Sequence, residues 1–73
     1  LSDERRYELL KHTVSPTEES RKKIALDFFN LDKDIIKLDK EELLKVSLDS
    51  KGRVSTWTIT EKGNKYIEEF EVN

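Results

Sequence analysis

The chain predicts an α+β domain. Three helical segments precede a two-stranded antiparallel hairpin and a closing helix, all within one domain spanning residues 1–73. Three observations carry this. Lys51-Gly52 stands between two alternating apolar runs, the pattern of a hairpin with a tight turn. Ser15-Pro16-Thr17-Glu18 is a strong helix start, with a capping residue, proline at the first helical position and an acid that can close a capping box. Thr60-Glu61 then opens a second well-marked helix directly after the hairpin.

Each element follows in order. Ser2 can cap a first helix whose acids Asp3 and Glu4 sit at the positive end of the helix dipole, with Tyr7, Leu9 and Leu10 on its inner stripe. His12-Thr13-Val14 reads as extended, with room for a short third strand. A second helix is expected from Pro16 to about Asn30, because Ile24 and Phe28, and Ala25 and Phe29, recur four residues apart and Leu31 extends the stripe. Phe28 and Phe29 cannot point the same way on a helix, so one is expected at the periphery, beside Leu31, as a partner or dimer contact. After a turn at Asn30-Leu31-Asp32, a third helix is expected over Lys33–Lys45, burying Ile35, Ile36, Leu43 and Leu44. Asp39-Lys40-Glu41-Glu42 with Leu38 and Leu43 also reads as a capping box with a hydrophobic staple, which would split this segment into two short helices. The single helix is the reading adopted.

In the hairpin, pairing Ser50 with Arg53 sets Leu48 opposite Ser55, Val46 opposite Trp57 and Leu44 near Ile59. That register collects Leu44, Val46, Leu48, Trp57 and Ile59 on one face, whereas a slip by one residue would scatter them over both. The last helix should run from Glu61 to about Phe70, with Tyr66, Ile67 and Phe70 inward and Gly63 allowing close backbone approach.

Composition narrows the function. With hydrophobic residues at 34% and charged residues at 41%, so small a core needs almost every large apolar side chain, and no cavity for a small-molecule substrate is expected. The absence of cysteine excludes disulfides and thiolate metal sites and fits a reducing cytoplasm. No apolar run approaches the roughly 20 residues of a membrane span. Fourteen Lys and Arg against 16 Asp and Glu give a formal charge of −2, without the positive excess usual in nucleic-acid-binding domains.

The order of elements, together with Thr58-Ile-Thr-Glu-Lys-Gly-Asn-Lys-Tyr-Ile67, resembles the winged-helix (winged helix-turn-helix) superfamily. In many of its bacterial and archaeal regulators the second wing strand ends in a similar Leu/Ile-Thr-Glu-Lys-Gly before a helix. The YjcQ-like family of phage-related and bacterial proteins looks like another relative with this ending. The resemblance implies that the helix over Lys33–Lys45 takes the recognition position and that Lys51-Gly52-Arg53 forms the wing tip. Lys33, Lys37, Lys40, Lys51 and Arg53 would then face double-stranded DNA, chiefly through phosphates. Against this stand the acids Asp34, Asp39, Glu41 and Glu42 in the same segment, and a shortage of side chains suited to base edges before Ser47.

No catalytic site is expected. His12 is the only histidine, there is no thiol nucleophile, and Asp3, Glu18, Glu42 and Glu61 sit at helix starts, where capping already accounts for them. Asp32-Lys33-Asp34 lacks the spaced oxygens and glycine of a calcium loop, and Gly52 and Gly63 are isolated rather than part of a phosphate loop. No metal or cofactor is implied. The leading expectation is a small DNA-binding protein, a transcriptional regulator or accessory factor of bacterial, archaeal or mobile-element origin. The second is a winged-helix protein-interaction module without DNA binding, working as a homodimer or with another protein. An acidic mimic of nucleic acid is the weakest, given the modest charge.

Overall fold

Ser2 opens the first helix as read: its Oγ accepts from the Arg5 N–H at 3.1 Å in the computed structural model, which describes residues 1–72. That helix, α1, runs Asp3–Val14 and buries Leu9 and Leu10 completely. The expected strand at His12-Thr13-Val14 is therefore helix. Thr13 Oγ1 donates back to the Leu9 carbonyl at 2.8 Å, a bond available only within a helical turn, and the ladder of this fold has two strands among the described residues.

The second helix, α2, is shorter than expected at both ends and spans Glu18–Ala25. Its cap is Thr17 rather than Ser15. Thr17 Oγ1 accepts from the Ser20 N–H and Ser20 Oγ accepts from the Thr17 N–H, both at 2.9 Å, so a reciprocal box forms two residues later than the proline suggested. Arg5 decides its other end. The guanidinium donates to the Ile24 carbonyl at 3.0 Å, an acceptor that a continuing helix would give to the Phe28 amide, and to the Asp27 carbonyl at 3.2 Å, which it shares with the Asn30 N–H at 3.3 Å. A short 3-10 turn, Phe28–Asn30, follows, clasped by Asn30 Nδ2 donating to both carboxylate oxygens of Asp27 at 2.9 and 3.1 Å.

The third helix, α3, covers Leu31–Lys40, two residues earlier at its start and five earlier at its end than expected. The apparent capping box at Asp39–Glu42 is a helix stop. Glu42 takes a left-handed φ of 65°, the Glu42 N–H donates to the Asp39 carbonyl at 2.9 Å, and the Leu43 N–H donates to the Leu38 carbonyl at 2.9 Å. This is a Schellman closure with glutamate where glycine is usual, flanked by Leu38 and Leu43, both buried. Leu44, expected on the helix, starts strand β1 instead, over Leu44–Leu48.

Strand β2, Val54–Ile59, pairs with β1 in the anticipated register at Leu44↔Ile59 and Val46↔Trp57. A bulge between Ser47 and Leu48 shifts the pairing near the tip, so Leu48 faces Val54 rather than Ser55. The consequence is a second correction: Leu48 is 53% exposed, and Val54 packs on the core in its place. The closing helix, α4, spans Glu61–Val72. Thr60 caps it through a 3.0 Å bond from the Gly63 N–H. The same Thr60 hydroxyl lies within hydrogen-bond distance of the Glu42 and Leu43 carbonyls, joining the end of α3 to the start of α4.

One apolar cluster unites these elements: Leu9, Leu10, Ile24, Ile35, Leu38, Leu43, Leu44 and Ile67, with Trp57, Ile59, Val46 and Tyr66 half-buried around it. Tyr7 of α1 stacks on Phe70 of α4 with ring centroids 4.3 Å apart. Among the described residues no helix is long and apolar enough to cross a membrane.

Candidate nucleic-acid interface

The helical repeat of α3 sorts its charges. At about 100° per residue, Lys33, Lys37 and Lys40 fall within a sector of about 60°, opposite Leu31, Ile35 and Leu38. The apolar side is anchored in the core, so the lysine side points to solvent, and all three lysines are exposed. None of the three forms an ion pair among the described residues.

Two acids of this region, expected to repel phosphate, are occupied elsewhere. Asp34 is buried, and its Oδ2 accepts from Arg5 Nε at 3.2 Å. Glu41 takes a two-pronged contact from Arg6, with Nε to Oε1 and Nη2 to Oε2 both at 2.9 Å. The Arg6 hydrogen bond holds the Glu41 carboxyl below its ordinary range, against the opposing pull of partial burial, and Glu41 in turn raises the Arg6 guanidinium. The two arginines of α1 thus cancel two acids on the side of α3 that meets α1. Asp32 and Asp39 remain exposed on the flank near Ile36, and Glu42 lies just past the helix end.

At the hairpin tip, Asp49 organises the turn. Its Oδ1 accepts from the N–H groups of both Lys51 and Arg53 at 2.9 Å, and the Gly52 N–H closes the turn onto the Asp49 carbonyl at 3.0 Å. Gly52 has φ of 78°, which suits glycine and disfavours other residues. The Arg53 N–H, the Lys51 N–H and the Arg53 side chain together pull the Asp49 carboxyl below its ordinary range, the Arg53 amide contributing most. Arg53 is therefore already paired, Nε to Asp49 Oδ2 at 3.2 Å, while Lys51 is exposed and has no ion pair among the described residues.

Of the five residues singled out from sequence, the fold collects Lys33, Lys37 and Lys40 on one stripe and sets Lys51 and Arg53 apart. Strand β1, about 17 Å long over its five residues at 3.4 Å each, stands between the end of α3 and the tip. Sequence reasoning missed Arg5 and Arg6, which looked like ordinary charges of a first helical turn. Their signal is positional: both follow the cap by one turn, but their partners Asp34 and Glu41 lie 29 and 35 residues away and no local spacing reveals them. It also missed Lys45, exposed on the outer side of β1 and without an ion pair among the described residues.

His12 does not belong to any such site. It sits half-buried on α1 with Nδ1 2.7 Å from Ser20 Oγ, linking α1 to the start of α2. No known family model, curated protein or solved structure matches the chain.

Proposed function

We propose that the protein is a small DNA-binding domain of winged-helix type, acting as a transcriptional regulator or accessory factor, with α3 as the helix that meets the duplex. The observation that carries this reading is the stripe of Lys33, Lys37 and Lys40: three solvent-facing cations at one helical sector, without an ion pair among the described residues, on a helix whose Asp34 and whose capping residue Glu41 are paired with Arg5 and Arg6. Lysine at these positions serves phosphate contact, which supplies affinity and register without base identity. The hairpin tip complements it. A hairpin whose first strand is about 17 Å long carries the tip beyond a helix seated in a major groove about 12 Å wide, towards the neighbouring backbone. Little direct base readout is available on α3, so the mode favoured is sequence-tolerant binding.

The test is fluorescence anisotropy with a random duplex at low and moderate salt. Binding is expected at low salt, with a log–log salt slope of about −0.9 for each phosphate engaged. Replacing Lys33, Lys37 and Lys40 together by Ala should flatten that slope by roughly two to three contacts. Lys51→Ala with Arg53→Ala should flatten it by about one, because Arg53 already has Asp49 as its partner. No binding at low salt removes the reading.

One observation favours a second reading, a protein-interaction module: Leu26, Phe28 and Phe29 are exposed together between α2 and α3. In that case the lysine substitutions would leave every interaction of the protein unchanged, and substitutions at the three apolar residues would abolish binding to its partner.

A further inference from the structure

Leu26, Phe28 and Phe29 are 88, 69 and 99% exposed, and they stand within four consecutive positions. The backbone that carries them is fixed rather than slack. Arg5 holds the carbonyls on either side of Leu26, at Ile24 and Asp27, and Asn30 clasps the Asp27 carboxylate. A rigid backbone holds these apolar side chains in water at a cost, and it also presents them already ordered for contact, which lowers the entropy lost on association.

We infer that this ridge is the contact of a two-fold homodimer, its occupant being the same ridge on a second copy of the chain. Area is the first argument. Phenylalanine buries roughly 150–250 Å² on full enclosure, so two phenylalanines and a leucine at these exposures, doubled by symmetry, remove on the order of 1,000 Å² from water. That is the lower bound at which a specific interface forms. Compactness is the second: a patch built from four successive positions meets its own image across a two-fold axis without a separate receptor surface. Charge is the third. The segment that carries the ridge, Glu18 to Lys33, holds four acids and four bases and is formally neutral. Such a segment lets two copies approach without net repulsion, whereas an anionic membrane surface would call for a basic excess.

A dimer built here has a consequence for the neighbouring helix. Phe29 precedes α3 by two residues, so the axis brings the first turns of both α3 helices together and places two lysine stripes in one particle. The dimer itself does not depend on DNA binding, and its test contains no DNA.

Sedimentation velocity on the full chain, from about 5 to about 500 µM, reads the outcome directly. The expected mass rises with concentration from 8.6 kDa towards twice that value, as for a dimer of micromolar dissociation constant. Phe29→Asp and Leu26→Asp should each weaken dimerisation roughly tenfold or more, since a carboxylate would be buried against apolar surface. Both positions are exposed in the single chain, so far-UV circular dichroism should be unchanged, and so should the melting temperature at concentrations where the chain is monomeric. If either variant lost its fold, the other supplies the comparison. A mass fixed at 8.6 kDa throughout, a dimer indifferent to both substitutions, or growth beyond two copies would each overturn the inference.

Discussion

Trp57 Nε1 donates to Thr13 Oγ1 at 2.8 Å, and the same hydroxyl donates onward to the Leu9 carbonyl at 2.8 Å. This relay fastens the hairpin to α1 across 44 residues of sequence. Thr13→Val keeps the shape of the side chain but removes the acceptor, leaving the half-buried indole N–H without a partner. The expected loss is about 1–2 kcal/mol in urea denaturation. Trp57→Phe should lose a similar increment plus some packing, and the double variant should lose less than the sum of the two. Strict additivity would show that the bond contributes nothing.

The relay also explains which parts of the fold were legible. The hairpin register was, because Val46, Trp57, Leu44 and Ile59 share a face only in one pairing and a slip by one residue splits them between the two faces. The helical end of α1 was not. Threonine and valine favour extended backbone locally, and the residue that engages the Thr13 hydroxyl from outside the helix, Trp57, is invisible from its neighbours. The same holds for the break after Ala25. A continuous stripe from Ile24 to Leu31 argues for one long helix, but Arg5, from another helix, takes the Ile24 carbonyl that helix would need. Of the candidate site, the α3 lysines were legible by their spacing alone. Their freedom from ion pairs among the described residues was not, since it depends on where Arg5 and Arg6 land.

Arg5 binds three segments at once: Asp34 of α3, the Ile24 carbonyl at the end of α2 and the Asp27 carbonyl in the connecting turn. Arg5→Ala leaves a buried carboxylate without its counter-charge and the Ile24 carbonyl without its donor, while the Asp27 carbonyl keeps only the Asn30 N–H. The expected destabilisation is about 3 kcal/mol or more. Amide exchange should accelerate first over 24–30, the stretch Arg5 holds, before α4 responds. Arg5→Lys should recover little, because one ammonium cannot span the three acceptors that the guanidinium fork reaches.

Glu42 and Gly63 predict opposite responses to simple substitutions. Glu42 holds a left-handed φ of 65° at the stop of α3, so Glu42→Gly should stabilise the domain by up to about 1 kcal/mol. Gly63 sits in α4, where alanine would ordinarily be the better helix former. Yet a Cβ there would fall on the Leu43 carbonyl oxygen and 2.7 Å from Ile59 Cγ1. Neither backbone nor β2 can yield cheaply, and Gly63→Ala should therefore destabilise by about 1–3 kcal/mol. Thermal melts of the two variants should move in opposite directions. A rise for both would mean that α4 is free to shift away from β1.

Acid sensitivity follows from three carboxyls. Glu41 is held below its ordinary value chiefly by the Arg6 hydrogen bond, Asp49 by the Arg53 amide, and Glu71 by the Tyr7 hydroxyl at 2.7 Å and Lys11 at 2.9 Å. A carboxyl whose folded pKa lies below its unfolded one binds more protons when unfolded, so stability rises with pH through that window. The contribution is complete above about pH 5 and is lost as pH falls below the ordinary carboxylate value of about 4.3 and through the folded values. At the other end Lys11 and Tyr7 are raised, both chiefly by Glu71, so their contribution is present below about pH 10 and is lost as pH climbs further. Glu71 thus serves both limbs. Glu71→Gln should make the acid decline shallower and should also reduce the alkaline decline, whereas Glu41→Gln should act chiefly on the acid limb, because Arg6 stays protonated throughout and Glu41 is only the smallest of the causes that raise the Tyr66 hydroxyl. Stability measured by denaturant across pH 2–11 decides between them: if Glu71→Gln left the alkaline limb as steep as before, the Tyr7–Glu71–Lys11 cluster would not be what couples α1 to α4.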